Sequence, residues 1–360
     1  MVADADFPPF DRVMMDGLAV RHHEVTGGRR GFTVLGSAPA GRGRTTLPAQ
    51  PGAALEIMTG AVLPEGADCI LPCEWYDLSG ADAVLRAQSS VPPGAFIHRR
   101  GSDHRTGDVL VRPGVCMGPV EVSIAAACGC AEVEVSEPLR IAVLGTGDEL
   151  VAVGDVPREG QIRQTNVPAL SAALRLSGYG PAETGALPDE GPALREGLVS
   201  LLAHHDVVVV TGGVSKGRCD LIPAILMETG ASCILHGVAQ RPGKPMGVWQ
   251  VAGGPVVFGL PGNPVSALVC LRRYVLPALF RWSGGAEDPP PRRILRGSFA
   301  RPHGLTLFLP VLEGGDGNLA PAPVANSGDF CGLAGSCGFA EVDESFAEGS
   351  PVPYFRWCEP

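Results

Sequence analysis

Between Ile141 and Leu279 short apolar runs alternate with segments of helical spacing, and nearly every apolar run ends in a small, polar, glycine-containing loop. The barest case is Val207, Val208, Val209 and Val210, a β-branched run with no polar face, which reads as a strand buried on both sides. It passes directly into Thr211-Gly212-Gly213-Val214-Ser215-Lys216-Gly217. Asp220 then opens a helical segment, Leu221 to Met227, with Gly230 just past its end. Strand, loop and helix recur at Ile141–Leu144 followed by Gly145-Thr146-Gly147-Asp148-Glu149-Leu150. They recur again at Val256–Leu260 followed by Pro261-Gly262-Asn263-Pro264-Val265-Ser266 and a helix from Ala267 to Leu279. Asn263 stands where an N-cap belongs, with Pro264 at the first helical position. Asn166 caps a helix from Val167 to Ser177 in the same way, and Pro192 to His204 reads as a further helix.

Alternation at this spacing predicts a parallel sheet with helices on both faces, a three-layer α/β domain. In such a sheet the ligand sits outside the carboxyl ends of the strands. The loops Gly145–Glu149, Pro188-Asp189, Gly212–Asp220 and Gly259–Ser266 are therefore expected to converge. Carboxylates Glu149, Asp189 and Asp220 and cations Lys216 and Lys244 would then gather around a phosphate-bearing ligand and a divalent metal. Lys216 and Lys244 are the only two lysines among 28 basic residues, and both lie in glycine loops. A compact ammonium approaches an oxyanion differently from a guanidinium fork, so their placement favours an anion site. No P-loop is present, because Gly212 to Lys216 has the wrong spacing.

The flanking regions read differently. Leu18 to about His104 is rich in Gly, Pro, Thr and Val in short alternating runs, an all-β module. Arg99-Arg100-Gly101-Ser102-Asp103 within it is either a solvated turn or a holder of phosphate and metal. Asp16-Gly17 is a turn signal. Pro119 to Cys128 is apolar with small residues and reads as a helix. Pro289 to Pro291 mark a linker into a C-terminal β domain of short strands. The paired histidines His22-His23 and His204-His205 read as structural. At 360 residues the chain has length for two or three domains. Its net charge of −10 argues against a general nucleic-acid surface. Met1 to Phe10 lacks a signal-peptide pattern, and no apolar run reaches the length of a membrane span. The expectation is a cytoplasmic protein, its 11 cysteines reduced.

The motifs, taken in order, resemble the molybdopterin molybdenumtransferase family, the MoeA and gephyrin E-domain type. The resemblance rests on Phe10-Asp11 with Met15-Asp16-Gly17, Met58-Thr59-Gly60-Ala61 with Pro64 to Asp68, and Thr146-Gly147-Asp148-Glu149-Leu150. It continues through Gly160-Gln161-Ile162 with Asn166, Thr211 to Ser215 with Gly217 and Asp220, Pro242-Gly243-Lys244-Pro245, and Gly259 to Ser266. It implies a multidomain α/β plus β protein: a short linker domain (1–16 and 105–137), an inserted β domain (17–104), the α/β molybdopterin-binding domain (138–285) and a β-barrel-like C-terminal domain (286–360). It also implies a homodimer in which the sheet domain of one subunit meets the β and linker domains of the other, with no nucleic-acid or membrane partner.

The activity implied is transfer of molybdate into adenylylated molybdopterin with release of AMP, aided by Mg2+, with a molybdopterin adenylyltransferase as upstream supplier. By resemblance the catalytic set is Asp16, Thr59, Asp103, Glu149, Asp189 and Asp220, with Asp189 and Asp220 on the metal. Thr146, Gly212, Gly213, Ser215, Gly262, Asn263 and Ser266 would hold the pterin; Arg241, Lys244, Pro245 and Ser327 would hold molybdate. Arg241 stands where the family commonly has lysine, and Gln164 where it commonly has aspartate. A non-catalytic pterin-binding scaffold and a molybdopterin adenylyltransferase are the alternative readings.

Overall fold

The computed structural model describes residues 1–86, 91–214, 221–286 and 288–358. Two compact units divide the chain, Met1–Glu134 and Val135–Pro360.

The first unit is built on a six-stranded sheet. Its order runs Cys69–Pro72, Gly17–Val20, Ala53–Ile57, Gly31–Ala38, Asp82–Leu85 and Tyr76–Ser79. All neighbours are antiparallel except Gly31–Ala38 beside Ala53–Ile57. Alternate residues bury on opposite faces: Ala19, Leu55, Ile57 and Ile70 in one cluster, Leu18, Val20, Ala54 and Leu71 in another. The module is not all-β, since His22–Thr26 forms a short helix. The helix expected after Pro119 runs from Pro119 to Ala127. Glu121 accepts a hydrogen bond from the Gly118 N–H at 3.0 Å and so closes its first turn.

The second unit holds the three-layer core. Its sheet runs Glu183–Leu187, Ile141–Thr146, Val207–Thr211, Val256–Leu260, Gly247–Val251 and Ala231–His236. The first four strands are parallel; the last two are antiparallel, so the sheet is mixed. The physical reason is the short connection between Val251 and Val256. It leaves no room for a crossover helix, so the chain must turn back as a hairpin.

Strand alternation explains the layers. Ile141, Val143, Val207, Val209, Phe258 and Leu260 face one side, where Val167, Leu170, Leu174, Ala267, Leu271 and Leu279 cover them. Ala142, Leu144, Val208, Val210 and Val257 face the other, covered by Leu194, Leu198, Ile222 and Leu226. Every residue of Val207–Val210 is fully buried, as a run without a polar face requires. The covering helices are Asn166–Leu176, Gly191–His204, Ile222–Glu228 and a longer one from Pro264 to Trp282. That last helix is interrupted by a π-type turn over Leu271–Val275.

A second sheet of this unit joins Arg292–Ile294, Thr306–Glu313, Leu319–Pro321, Gly338–Val342 and Pro351–Arg356. Gln240–Arg241 adds to it, pairing in parallel with Thr306 and Leu307. The loop that carries Lys244 is thereby tied to both sheets.

Candidate ligand-binding edge of the sheet

The four parallel strands end in register. Leu187 lies opposite Thr146, while Thr211 lies opposite both Gly145 and Leu260. The loops that follow meet at close range. Gly212 has φ +93°, and a Cβ there would lie 2.5 Å from the Thr146 carbonyl oxygen. A Cβ on Gly213 would lie 2.9 Å from Thr146 Oγ1, and one on Gly262 would sit 3.7 Å from the Gly212 Cα. Glycine at 212 is thus demanded twice, by the left-handed backbone and by the approach of a neighbouring chain.

A buried polar network fastens this edge. Asn166, which is 7% exposed, donates from Nδ2 to Thr211 Oγ1 at 2.8 Å and to the Gly262 carbonyl at 2.7 Å. Thr211 Oγ1 in turn donates to the Pro261 carbonyl at 3.0 Å. Three loops distant in sequence are therefore locked by one amide. Asn166 does not cap its helix as the sequence predicts. Gln164 does so, its Oε1 accepting the Asn166 N–H at 3.0 Å and the Val167 N–H at 3.4 Å. Thr146 Oγ1 is buried with no hydrogen-bond partner among the described residues. A buried hydroxyl without a partner is costly, and here it stands against the glycine loop.

Asn263 also departs from the expected cap. Its side chain makes no cap hydrogen bond, and Nδ2 donates to Ser327 Oγ at 2.8 Å. The Val265 N–H donates to the Ser327 carbonyl at 3.1 Å. Ser327, on a loop of the C-terminal sheet, is thus brought to the Gly262-Asn263 turn, and Ser266 is buried beside it. The C-terminal loop keeps its shape through Asp329, whose oxygens accept the Ala325 and Gly332 N–H groups, each at 2.9 Å. Those backbone bonds hold its carboxyl below the usual range.

The acidic residues occupy the loops after the Ile141–Thr146 and Glu183–Leu187 strands. Asp148 Oδ1 accepts the Asp189 N–H at 3.1 Å, which joins the two loops. Glu149 is exposed and folds back so closely that a Cβ on Gly147 would meet its carboxylate at 2.4 Å. Among the described residues no group of three or more His, Cys, Asp or Glu side chains is placed to hold a metal ion. Ser215, Lys216 and Asp220 lie outside the described residues.

The Lys244 loop reaches the same edge because the last two strands are antiparallel. His236 pairs with Gly247, and Gly247 with Gly259, so the chain between them emerges beside the carboxyl end of Val256–Leu260. Arg241 and Lys244 are exposed there, and Pro245 is half-buried.

In the first unit, Asp16 Oδ1 accepts both the N–H and the hydroxyl of Thr59, each at 2.7 Å. These two bonds hold its carboxyl below the usual range. Asp103 Oδ1 lies 2.6 Å from His98 Nε2, and that bond lowers its carboxyl likewise. His98 Nδ1 faces the Arg12 guanidinium at 3.4 Å. Arginine only donates, so the ring accepts at Nδ1 and carries its proton at Nε2, toward Asp103. Sequence reasoning singled out Asp16, Thr59 and Asp103 but missed His98 and Arg12 as their neighbours. It also missed Asp148, Asn166 and Gln240 as site-building residues. The position of Asn166 at the start of an apolar helix was the one available signal.

Fold and edge together define a class: an α/β protein whose glycine loops meet at the carboxyl edge of a sheet, with a separate β-rich unit preceding it. Known proteins narrow this. Residues 1–129 match the family model described as MoeA N-terminal region (domain I and II). Residues 142–281 match the probable molybdopterin binding domain. A molybdopterin molybdenumtransferase of Synechocystis is 36% identical over 99% of this chain and 90% of its own length. Molybdopterin molybdenumtransferase 2 of Mycobacterium tuberculosis is 34% identical over 97% of this chain and 88% of its own. The crystal structure of the molybdopterin biosynthesis moeA protein from Pyrococcus horikoshii OT3 superposes with a TM-score of 0.80 at 26% identity, covering 99% of this chain and 90% of that one. The chain belongs to the molybdopterin molybdenumtransferase family. No helix of the described residues is long and apolar enough to cross a membrane.

Proposed function

We propose that the chain is a metal insertase of molybdenum cofactor biosynthesis, transferring molybdate into adenylylated molybdopterin with release of AMP. The observation that carries this reading is the meeting of the Thr146, Gly212-Gly213 and Gly262-Asn263 loops at one sheet edge, with the Lys244 loop emerging beside them, in a chain of this family. Glycines let backbone approach a phosphate closely, and the unpartnered Thr146 hydroxyl supplies a donor. Ser215, Gly262, Asn263 and Ser266 complete the pterin-binding set. Molybdate, a tetrahedral dianion, meets Lys244 and Arg241 with Pro245 and Ser327 at the rim. The exposure of both cations suits a substrate that must enter and leave.

Mg2+ would take hard oxygen donors on the carboxylate side of the edge, where the Asp189 N–H donates to Asp148 and joins the two loops. Asp189 and Asp220 would hold the ion, which would supply positive charge to offset that of the phosphoanhydride. Glu149 orients the ligand beside it. Asp16, Thr59 and Asp103 act in a homodimer, where the first unit of one subunit completes the site of the other. A molybdopterin adenylyltransferase supplies the substrate, and the setting is cytoplasmic. Four domains, with boundaries near residues 17, 105, 138 and 286, carry these roles.

Labelled molybdate tests the reading. The expected result is label retained on the pterin when the adenylylated form is supplied, and none with the unmodified pterin. Asp220→Asn should keep pterin binding and lose turnover. Unchanged turnover in that variant would remove Asp220 from the metal.

A further inference from the structure

We infer that Gln240, Tyr274 and Cys270 form a buried clamp that fixes the Pro242-Gly243 backbone and thereby positions Lys244, making Gln240 a positioning residue of the oxyanion subsite. The inference rests on the reading of Lys244 as an oxyanion group. Its geometry stands independently.

Gln240 is 1% exposed, an unusual place for an amide beside an exposed loop. Its Nε2 donates to the Pro242 carbonyl at 3.0 Å and to Cys270 Sγ at 3.5 Å. A carbonyl only accepts, so the amide nitrogen must face the loop and Oε1 must face away. There Oε1 accepts the Tyr274 hydroxyl. The Cys270 thiol closes the ring by donating to the Gly243 carbonyl at 3.8 Å. Each group thus has its donor and acceptor sense dictated by the next, and two consecutive loop carbonyls are held from the buried side. Burial pushes both the Tyr274 phenol and the Cys270 thiol up to about 12, so both keep their protons in the physiological range.

The clamp leaves no slack. Gly243 has φ +94°, and a Cβ there would lie 2.5 Å from Gln240 Nε2 and 2.6 Å from Cys270 Sγ. On its other side the loop is closed by the Val238 N–H to the Lys244 carbonyl at 2.8 Å and the Met246 N–H to the Gly243 carbonyl at 3.1 Å. Lys244 therefore has a fixed backbone under an exposed side chain. Cys270 and Tyr274 sit on the helix that begins at Pro264, directly after the Gly262-Asn263 turn. The clamp ties the Lys244 loop to the helix that follows the glycine turn.

The test uses the full chain carrying Gln240→Leu, which keeps volume and loses the hydrogen bonds, and Tyr274→Phe, which loses only the hydroxyl. Hydrogen exchange of segment 238–248 reads the clamp, and the molybdate dependence of AMP release reads its role. The expected result is faster exchange in that segment, with KM for molybdate raised about three- to tenfold per lost hydrogen bond and kcat retained at saturating molybdate. Gln240→Glu, which keeps the acceptor for Tyr274 but turns a second acceptor toward the Pro242 carbonyl, should exchange at least as fast as Gln240→Leu. Unchanged exchange in both variants would overturn the clamp. Faster exchange with an unchanged KM would overturn its link to the oxyanion. Should the wild-type chain release no AMP in response to molybdate, the insertase reading would fall, while the exchange data would still decide the clamp.

Discussion

At the sheet edge of the second unit Asn166, Thr211 and Gln240 are buried and hydrogen-bonded across loops, whereas in the first unit Asp16 and Asp103 stand exposed, each held by a near neighbour. Asn166 spans Thr211 and Gly262, and Gln240 spans Pro242 and Cys270, each from a buried side chain. Thr59 and His98, by contrast, position their carboxylates in water. Buried hydrogen bonds are costly to break, because the orphaned partner has no solvent to turn to. Exposed ones are replaced by water at little loss. The sheet edge should therefore couple stability to binding, and the exposed carboxylates should carry function with little bearing on the fold.

The most severe way to break this contrast is Gly212→Ala. The added Cβ meets the Thr146 carbonyl oxygen at 2.5 Å from a backbone already at φ +93°. The expected loss is about 3 kcal/mol, read by denaturant unfolding, from the left-handed backbone and overpacking together. Next comes Asn166→Ala, which leaves the Gly262 carbonyl and Thr211 hydroxyl short of a donor. About 1–3 kcal/mol should be lost, and pterin affinity should fall with it. A mutant that bound the pterin normally would show that the network serves only the fold.

Acid titration sharpens the comparison. Asp206 accepts from the Arg140 backbone N–H at 2.8 Å and from its guanidinium at 2.7 and 3.2 Å, and the guanidinium foremost holds its carboxyl below the ordinary 3.8. The sign follows from linkage. With the folded value depressed, the stabilisation is complete above 3.8 and is lost as pH falls through the lower, folded value. Asp206→Asn should therefore lower stability at neutral pH and flatten the acid limb, the two stability curves converging at low pH. The smallest expected effect on stability is Thr59→Ala. It should shift Tm by no more than about 1–2 °C while lowering turnover at least about tenfold, roughly the worth of one charge-assisted hydrogen bond. Equal losses of stability and turnover would contradict the division drawn here.

Much of this was legible in the sequence, and the omissions have a common cause. The Val207–Val210 run, the glycine loops after it and the helices around it follow from periodicity and turn chemistry, which are local. The antiparallel pairing of Gly247–Val251 with Val256–Leu260 was not visible, because the two look alike as apolar runs whatever their direction. That pair brings the Lys244 loop to the edge. Asn166 and Asn263 were both read as caps from position alone. Each side chain instead answers a partner far along the chain, Gly262 in one case and Ser327 in the other. Gln164, two residues earlier, takes over the capping that Asn166 leaves. The clamp around Gln240 was invisible for the same reason, since its partners lie 30 and 34 residues away.

The central claim, that this edge drives molybdate insertion, is tested most directly by AMP release from adenylylated molybdopterin, followed with and without molybdate and Mg2+. The account predicts release that requires both additions. Tight pterin binding with no release under any of these conditions would contradict it and leave a pterin-binding scaffold in its place.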